Sequence, residues 1–427
     1  MLPPAITVTR FLRCSLAALL SILSGSFGVT YAQQKPAPTP EKPKIRAITA
    51  FINLDRSQYQ QQVADALKLL RRAQTTFESR GFQVQTIRIA TQPFPEYTKG
   101  LTSEQAVTFF KEFDALAIRE KFAASIGPAM VNADDSEAQA DLLAEILANT
   151  KTLNGSLLVA GEDGVRWNAV GAAARVMKKL EATEHSQGNF HFAAIAMVPP
   201  LTPFFPAAYH TGFGHQFAIA LESANVVAAA FKDAPNLAVA KQRLTDSLAS
   251  SAFEIQRHAG RIDQETGWTY MGIDLSPAPA GDVSIGAAIE NLTTEPFGMS
   301  GTLTAAATIT AAIRDVKVKQ TGYSGLMLPI LEDARLAQRW SEGHISLDAL
   351  LSYSAVCGTG LDTVPLPGDI SVEHLSLIIG DVASLAYKWH KPLSARLLPV
   401  LGKGWGEMTE FNDPFLVNVK LQALDVK

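Results

Sequence analysis

The residues best equipped for chemistry sit in short glycine- and proline-flanked segments of the second half of the chain. Residues 357–369, Cys-Gly-Thr-Gly-Leu-Asp-Thr-Val-Pro-Leu-Pro-Gly-Asp, gather a thiol and two carboxylates around one apolar run. Glycines there let the backbone bend sharply or approach a ligand closely. Cys357 is a nucleophile if nearby N–H groups or cations lower its pKa, and a small buried side chain otherwise. Asp362 joins it as a candidate for acid–base work. Asp369 either binds a polar ligand or caps the helix that follows. A second segment, Thr-Tyr-Met-Gly-Ile-Asp-Leu-Ser over 269–276, ends an apolar run on Asp274 and Ser276 before Pro277 and Pro279. Polar groups just past the carboxyl end of a parallel strand are where α/β proteins hold ligands. A loop aspartate can equally satisfy its own backbone.

Three further positions could grip a ligand. His210 and His215 share a glycine-rich stretch, but their five-residue spacing matches no helical metal pair and no thiolate lies near in sequence, so His210 is expected beside a ligand pocket and no metal is expected. Lys403 stands between Gly402 and Gly404, in a loop that either cradles an anion or simply turns; it lacks the Ser/Thr and helix of a P-loop. Arg88 interrupts the apolar run Ile87–Ala90. On an inner sheet face it would need an anionic partner; on the outer surface it would not.

The elements that must position these residues alternate along the chain. Runs of β character at 45–52, 82–90, 125–131, 153–160, 190–198, 216–221, 268–275, 326–331, 363–366 and 395–401 make ten strand candidates. Between them stand runs of helical period, such as 57–80 with an apolar stripe of Val63, Leu67, Leu70, Ala73 and Phe77 stopped by Gly81. Thr102 and Gln105 have capping-box spacing. Such alternation predicts parallel strands joined by helical crossovers, in one large α/β domain that is closed or nearly closed.

Composition narrows the function classes. The chain has 427 residues, 47% hydrophobic and 18% charged, with a net charge of -4, so it has a core and is not built to grip nucleic acid. Residues 1–32 have the order of a secretory signal: Arg10 and Arg13, an apolar run, and Ala32 as a cleavage point. Cleavage there takes two of the 37 basic residues and none of the 41 acidic ones, so the net charge falls to -6. Cys14 leaves too, and Cys357 becomes the one thiol of an exported chain. An uncleaved membrane anchor is the alternative. Residues 33–44 read as a proline-rich spacer before a single domain over 45–427.

Several segments together, in order, carry a resemblance: TIRIATQPF, GIDLSPAP, Gly301–Ala307, GYSGLMLPILED, CGTGLDTVPLPGD, IIGDVASLA and ARLLPVLGKGWGEMTEF. The chain resembles, over nearly all of residues 45–420, the prokaryotic family called domain of unknown function 711. The resemblance implies a ten-stranded α/β barrel of the pyruvate formate-lyase-like type. It implies no activity, cofactor or substrate. In radical enzymes of that fold a loop cysteine inside the barrel abstracts hydrogen, which nominates Cys357. Their Arg-x-x-Gly-Tyr loop near the C-terminus has no counterpart here, where Gly322-Tyr323 lies about a hundred residues from the end without the arginine. Three functions stay open: an enzyme on a small polar metabolite, a non-catalytic binder of one, and a structural protein with a vestigial pocket. Convergence of Cys357, Asp274, Asp362 and His210 in one water-accessible cavity would favour the first two. A sealed Cys357 would be a packing residue.

Overall fold

A computed structural model describes residues 42–183 and 186–423. The signal-like segment, its cleavage point and most of the proline-rich spacer lie outside the described residues. The first half alternates as expected. β1 (Lys44–Ile52), α1 (Tyr59–Glu78), β2 (Val84–Thr91), the short α2 (Phe94–Thr98) and α3 (Ser103–Glu120) lead to β3 (Ala123–Ala129). α4 (Ala138–Ala148), β4 (Leu153–Gly161), a two-residue β5 (Gly164–Val165), α5 (Trp167–Leu180) and β6 (Phe192–Ala196) follow. The predicted stripe of α1 is its buried face, and Thr102 and Gln105 form a complete capping box that starts α3.

The second half holds β7 (Gln216–Glu222), α6 (Ala224–Phe231), the long α7 (Leu237–Thr266) and β8 (Thr269–Asp274). Then come α8 (Ile285–Thr293), α9 (Thr302–Asp315), α10 (Ala334–Ser341), α11 (Leu347–Ser354), β9 (Gly360–Pro367), α12 (Val372–Trp389) and β10 (Leu393–Val400). Helix α10, which starts at Asp333 as its N-cap accepting from Arg335 and Leu336 N–H, is not among the expected runs.

All ten strands share one sheet, ordered β8-β7-β1-β2-β3-β4-β6-β10-β9, with β5 paired off the path to β4. The sheet is mixed, which corrects the all-parallel expectation. β1, β2, β3, β4 and β6 run parallel; β7 meets β1 and β10 meets β6 antiparallel. β8 is parallel to β7 and β9 to β10. The helical crossovers do enforce parallel pairing within each half. The two seams join strands distant in sequence, where no crossover dictates direction. As a result β8 ends where β1 to β4 begin.

The predicted strand at 326–331 is not formed. That segment makes one bridge from Pro329 to Asp362 in β9, with Ile330 N–H donating to Asp362 O, while residues 319–321 bridge β8 at Ile273. Pro329 has no N–H to offer a ladder. Residues 319–331 therefore touch both ends of the sheet path without becoming a regular strand.

The outward face of the sheet packs on the helices in one large apolar core. The inner face carries a different population. In β2, Ile87 and Ile89 join the helix-facing core, while Thr86, Arg88 and Ala90 alternate to the other side. Residues 197–215, between β6 and β7, run against that inner face: Phe205 and Ala208 pack on Phe51, Ala90 and Ala218, and Ser125 Oγ donates to Ala208 O at 2.7 Å.

Candidate functional site

Between this inner segment and the starts of β1 to β4 lies a cavity of about 1190 Å³. It exceeds the roughly 300–1,000 Å³ of typical small-molecule pockets, leaving room for a metabolite and its water. Pro203, Phe204 and Phe205 form one wall, and Thr86, Arg88, Ala123 and Asn154 the strand side. Asp274 and Ser276 reach it from the end of β8, because that strand runs opposite to β1.

Three guanidiniums and two carboxylates meet here. Glu332 Oε2 accepts from Arg46 at 2.7 Å, and its Oε1 from Arg396 at 3.1 Å. Asp362 Oδ1 accepts from the same Arg396 nitrogen at 2.6 Å. Arg396 also donates to Phe190 O at 3.2 Å and lies over the Phe190 ring, 5.0 Å from its centroid. Burial works to neutralise Glu332, but Arg46 and Arg396 hold its carboxyl below the ordinary range. Burial pushes Asp362 up, and Arg396 draws it back.

Arg88 is left over. Its Nε donates to Thr86 Oγ1 at 3.0 Å, and its guanidinium covers the Phe205 ring at 4.9 Å. Its two terminal nitrogens have no acceptor among the described residues. Burial, then repulsion from Arg46, pulls its pKa down to about 9, still high enough to keep the charge at neutral pH. A half-buried charged guanidinium without a carboxylate is costly unless the cavity contents solvate it.

The structure sorts the sequence candidates. Arg88, Asp274 and Ser276 line the cavity, and Asp362 stands behind it, bonded to Arg396. Asp274 is already satisfied: Oδ1 accepts Ser276 N–H, Ser276 Oγ–H at 2.5 Å and Ser324 N–H, and Oδ2 accepts Tyr323 N–H at 3.0 Å. Burial raises its pKa against those four bonds. Its role is to fix residues 322–325, and Gly322, at φ +67°, is required there because a Cβ would sit 2.3 Å from Asp274 Oδ2.

The other four candidates lie elsewhere. Cys357 is 0% exposed inside the main apolar core, which corrects the nucleophile reading to a packing one. His210 is not in the cavity. Its Nδ1 faces Asn53 Oδ1 at 3.0 Å and its Nε2 faces Gln216 Oε1 at 2.7 Å, beyond the opposite end of β1, where it pins the turn at 211–215. Asp369 is exposed and is not the cap; Ser371 accepts His374 N–H as the N-cap of α12. Lys403 pairs with Glu410 at 2.7 Å on a turn closed by its own N–H to Val400 O, and does not line the cavity.

Arg46, His191, Glu332 and Arg396 were not singled out by sequence reasoning. Arg396 has the same signature as Arg88, a lone arginine in an apolar strand, and His191 stands between phenylalanines at the start of β6. Glu332 directly follows the apolar run 326–331. Among the described residues no group of three His, Cys, Asp or Glu is placed to hold a metal ion, and no helix is long and apolar enough to cross a membrane.

Comparison with known proteins finds relatives of the sequence. The family described as "Uncharacterised ACR (DUF711)" matches residues 39–412. A UPF0210 protein of Pyrobaculum islandicum is 34% identical over 362 residues, covering 80% of this chain and 79% of that protein. A UPF0210 protein of Methanosarcina acetivorans is 26% identical, covering 83% and 80%. Among solved structures, the anaerobic ribonucleotide reductase from Thermotoga maritima in complex with dATP and CTP is similar with a TM-score of 0.37 and 10% identity, covering 82% of this chain and 75% of that one.

Proposed function

The chain belongs to the DUF711 family, and from that premise we propose that it binds a small anionic molecule in its inner cavity, with Arg88 as the primary contact. The observation that carries this reading is the unpartnered pair of Arg88 terminal nitrogens in a cavity where Glu332 and Asp362 are already engaged by Arg46 and Arg396. A carboxylate or phosphate fits that fork bidentately. Phe204 and Phe205 supply an apolar wall for the rest of the ligand. The sheet is proposed to close into a barrel through residues 319–331, supported by their bridges to β8 and β9, which encloses the cavity. Residues 1–32 are proposed as an export signal, placing the binding domain outside the cytoplasm; amino-terminal sequencing of the native protein tests this, with Gln33 expected first.

A thermal-unfolding screen against small carboxylates, sulfate and phosphate tests the binding reading. At a ligand concentration 100 times Kd, binding stabilises the native state by about 2.7 kcal/mol. At least one anion should raise the Tm of the native protein and leave the Arg88→Met variant unmoved. No shift with any anion would sink the reading. Turnover of the bound anion is a second reading, favoured by His191, an imidazole lining the same cavity. Mass-spectrometric loss of the bound compound on incubation tests it.

A further inference from the structure

His191 lines the cavity from the single turn of 3-10 helix, Gly188–His191, that leads into β6. The backbone around it is locked. Asn189 Nδ2 donates to Met177 O at 2.9 Å, and Phe190 O accepts from Arg396. Gln187 Oε1 holds the backbone N–H groups of Asn412 and Asp413, which sets the C-terminal segment beside the histidine. Yet neither ring nitrogen has a hydrogen-bond partner among the described residues. A fixed backbone thus presents a free imidazole to a cavity that also holds the free fork of Arg88.

We propose that His191 is a second anion-contacting residue of this site, one that strengthens binding when it takes up a proton. The proposal rests on the anion-binding reading and names how that site is regulated. The charged groups that act on His191 are Asp413, Arg396 and Asp114. Asp114 is occupied by Lys151 N–H, Thr152 N–H and the Thr152 hydroxyl, and Asp413 Oδ1 by Phe415 N–H. Burial, together with Arg396, keeps the imidazole neutral at neutral pH, against the pull of Asp413. Protonation adds a cation to the wall of a cavity that already attracts anions. By linkage, a bound anion raises the proton affinity of His191, so binding takes up a proton.

Sulfate is the probe, because it stays a dianion from about pH 8 down to about pH 4.5, a range that reaches below the ordinary histidine value from which burial lowers His191. Calorimetric titration of the full chain should give a dissociation constant that falls about tenfold across that range, a factor expected from one added charge at partial screening. His191→Gln should bind sulfate with a nearly flat pH profile, and Arg88→Met should bind it at least about tenfold more weakly than the native protein. In the native protein, the His191 Cε1–H resonance, assigned by its loss in His191→Gln, should titrate at higher pH with sulfate than without. Equal pH dependence in native protein and His191→Gln would overturn the proposal, as would a titration midpoint unmoved by sulfate; both leave the Arg88 reading standing. Absence of sulfate binding at every pH would remove both.

Discussion

At the scale of single residues, two arginines in the same wall are expected to behave oppositely. Arg396 carries two buried carboxylates, so Arg396→Met strands Asp362 and half of Glu332, at a cost of about 3–5 kcal/mol. Arg88 carries none, and Arg88→Met in ligand-free protein should be neutral or stabilising. Urea unfolding of the two variants checks the contrast, and a large loss in Arg88→Met would contradict the assignment of a free cation. Glu332 sets a pH dependence of known sign. Its folded-state pKa lies below the unfolded one, so its contribution is complete above the ordinary carboxylate range. That contribution is lost as pH falls through the lowered value. Glu332→Gln should therefore cost stability at pH 7 and progressively less below about pH 4. Arg88 was legible in the sequence because a charge in an apolar β run demands an explanation. His191 and Arg396 carry the same kind of signal. Glu332 and Arg46 do not, because they stand at run ends where a charge is ordinary.

Elements were more legible than their pairing. Helical period, glycine stops and the Thr102/Gln105 box are local chemistry, so α1 and α3 follow directly from them. Thr102→Ala should cost about 1 kcal/mol in thermal or urea unfolding without disturbing the cavity. Strand direction at the seams is not local. Nothing in β7 states that it lies antiparallel to β1, and this is why the carboxyl end of β8 meets the amino ends of the first strands at one cavity. Residues 326–331 have strand composition, but Pro329 has no N–H for a ladder, and Asp274 fixes the backbone just before them at 322–325. Cys357 belongs to the same lesson. Its glycine setting suggested reactivity, whereas Gly358 and Gly325 are glycines because their backbones pass within 2.8 Å of a Cβ position. Thiol reagents should leave native Cys357 unmodified and label it only on unfolding. Rapid labelling of native protein would contradict its placement in the core.

At the scale of the molecule, a mildly acidic chain lines its cavity with several arginines. The formal net charge of -4 gives no hint that Arg46, Arg88 and Arg396 line one cavity, with Glu332 engaged by two of them. Charge arithmetic describes solubility and partners at the surface, while the site depends on which face of β2 turns inward. The account stands or falls on whether that inward arginine takes an anion. Its most direct test is calorimetric titration of sulfate into the native protein and into Arg88→Met, at pH 6 and constant ionic strength. The account predicts saturable one-site binding to the native protein, weakened at least about tenfold in the variant by loss of charge-assisted hydrogen bonds. Equal binding to both proteins, or to neither, would contradict it.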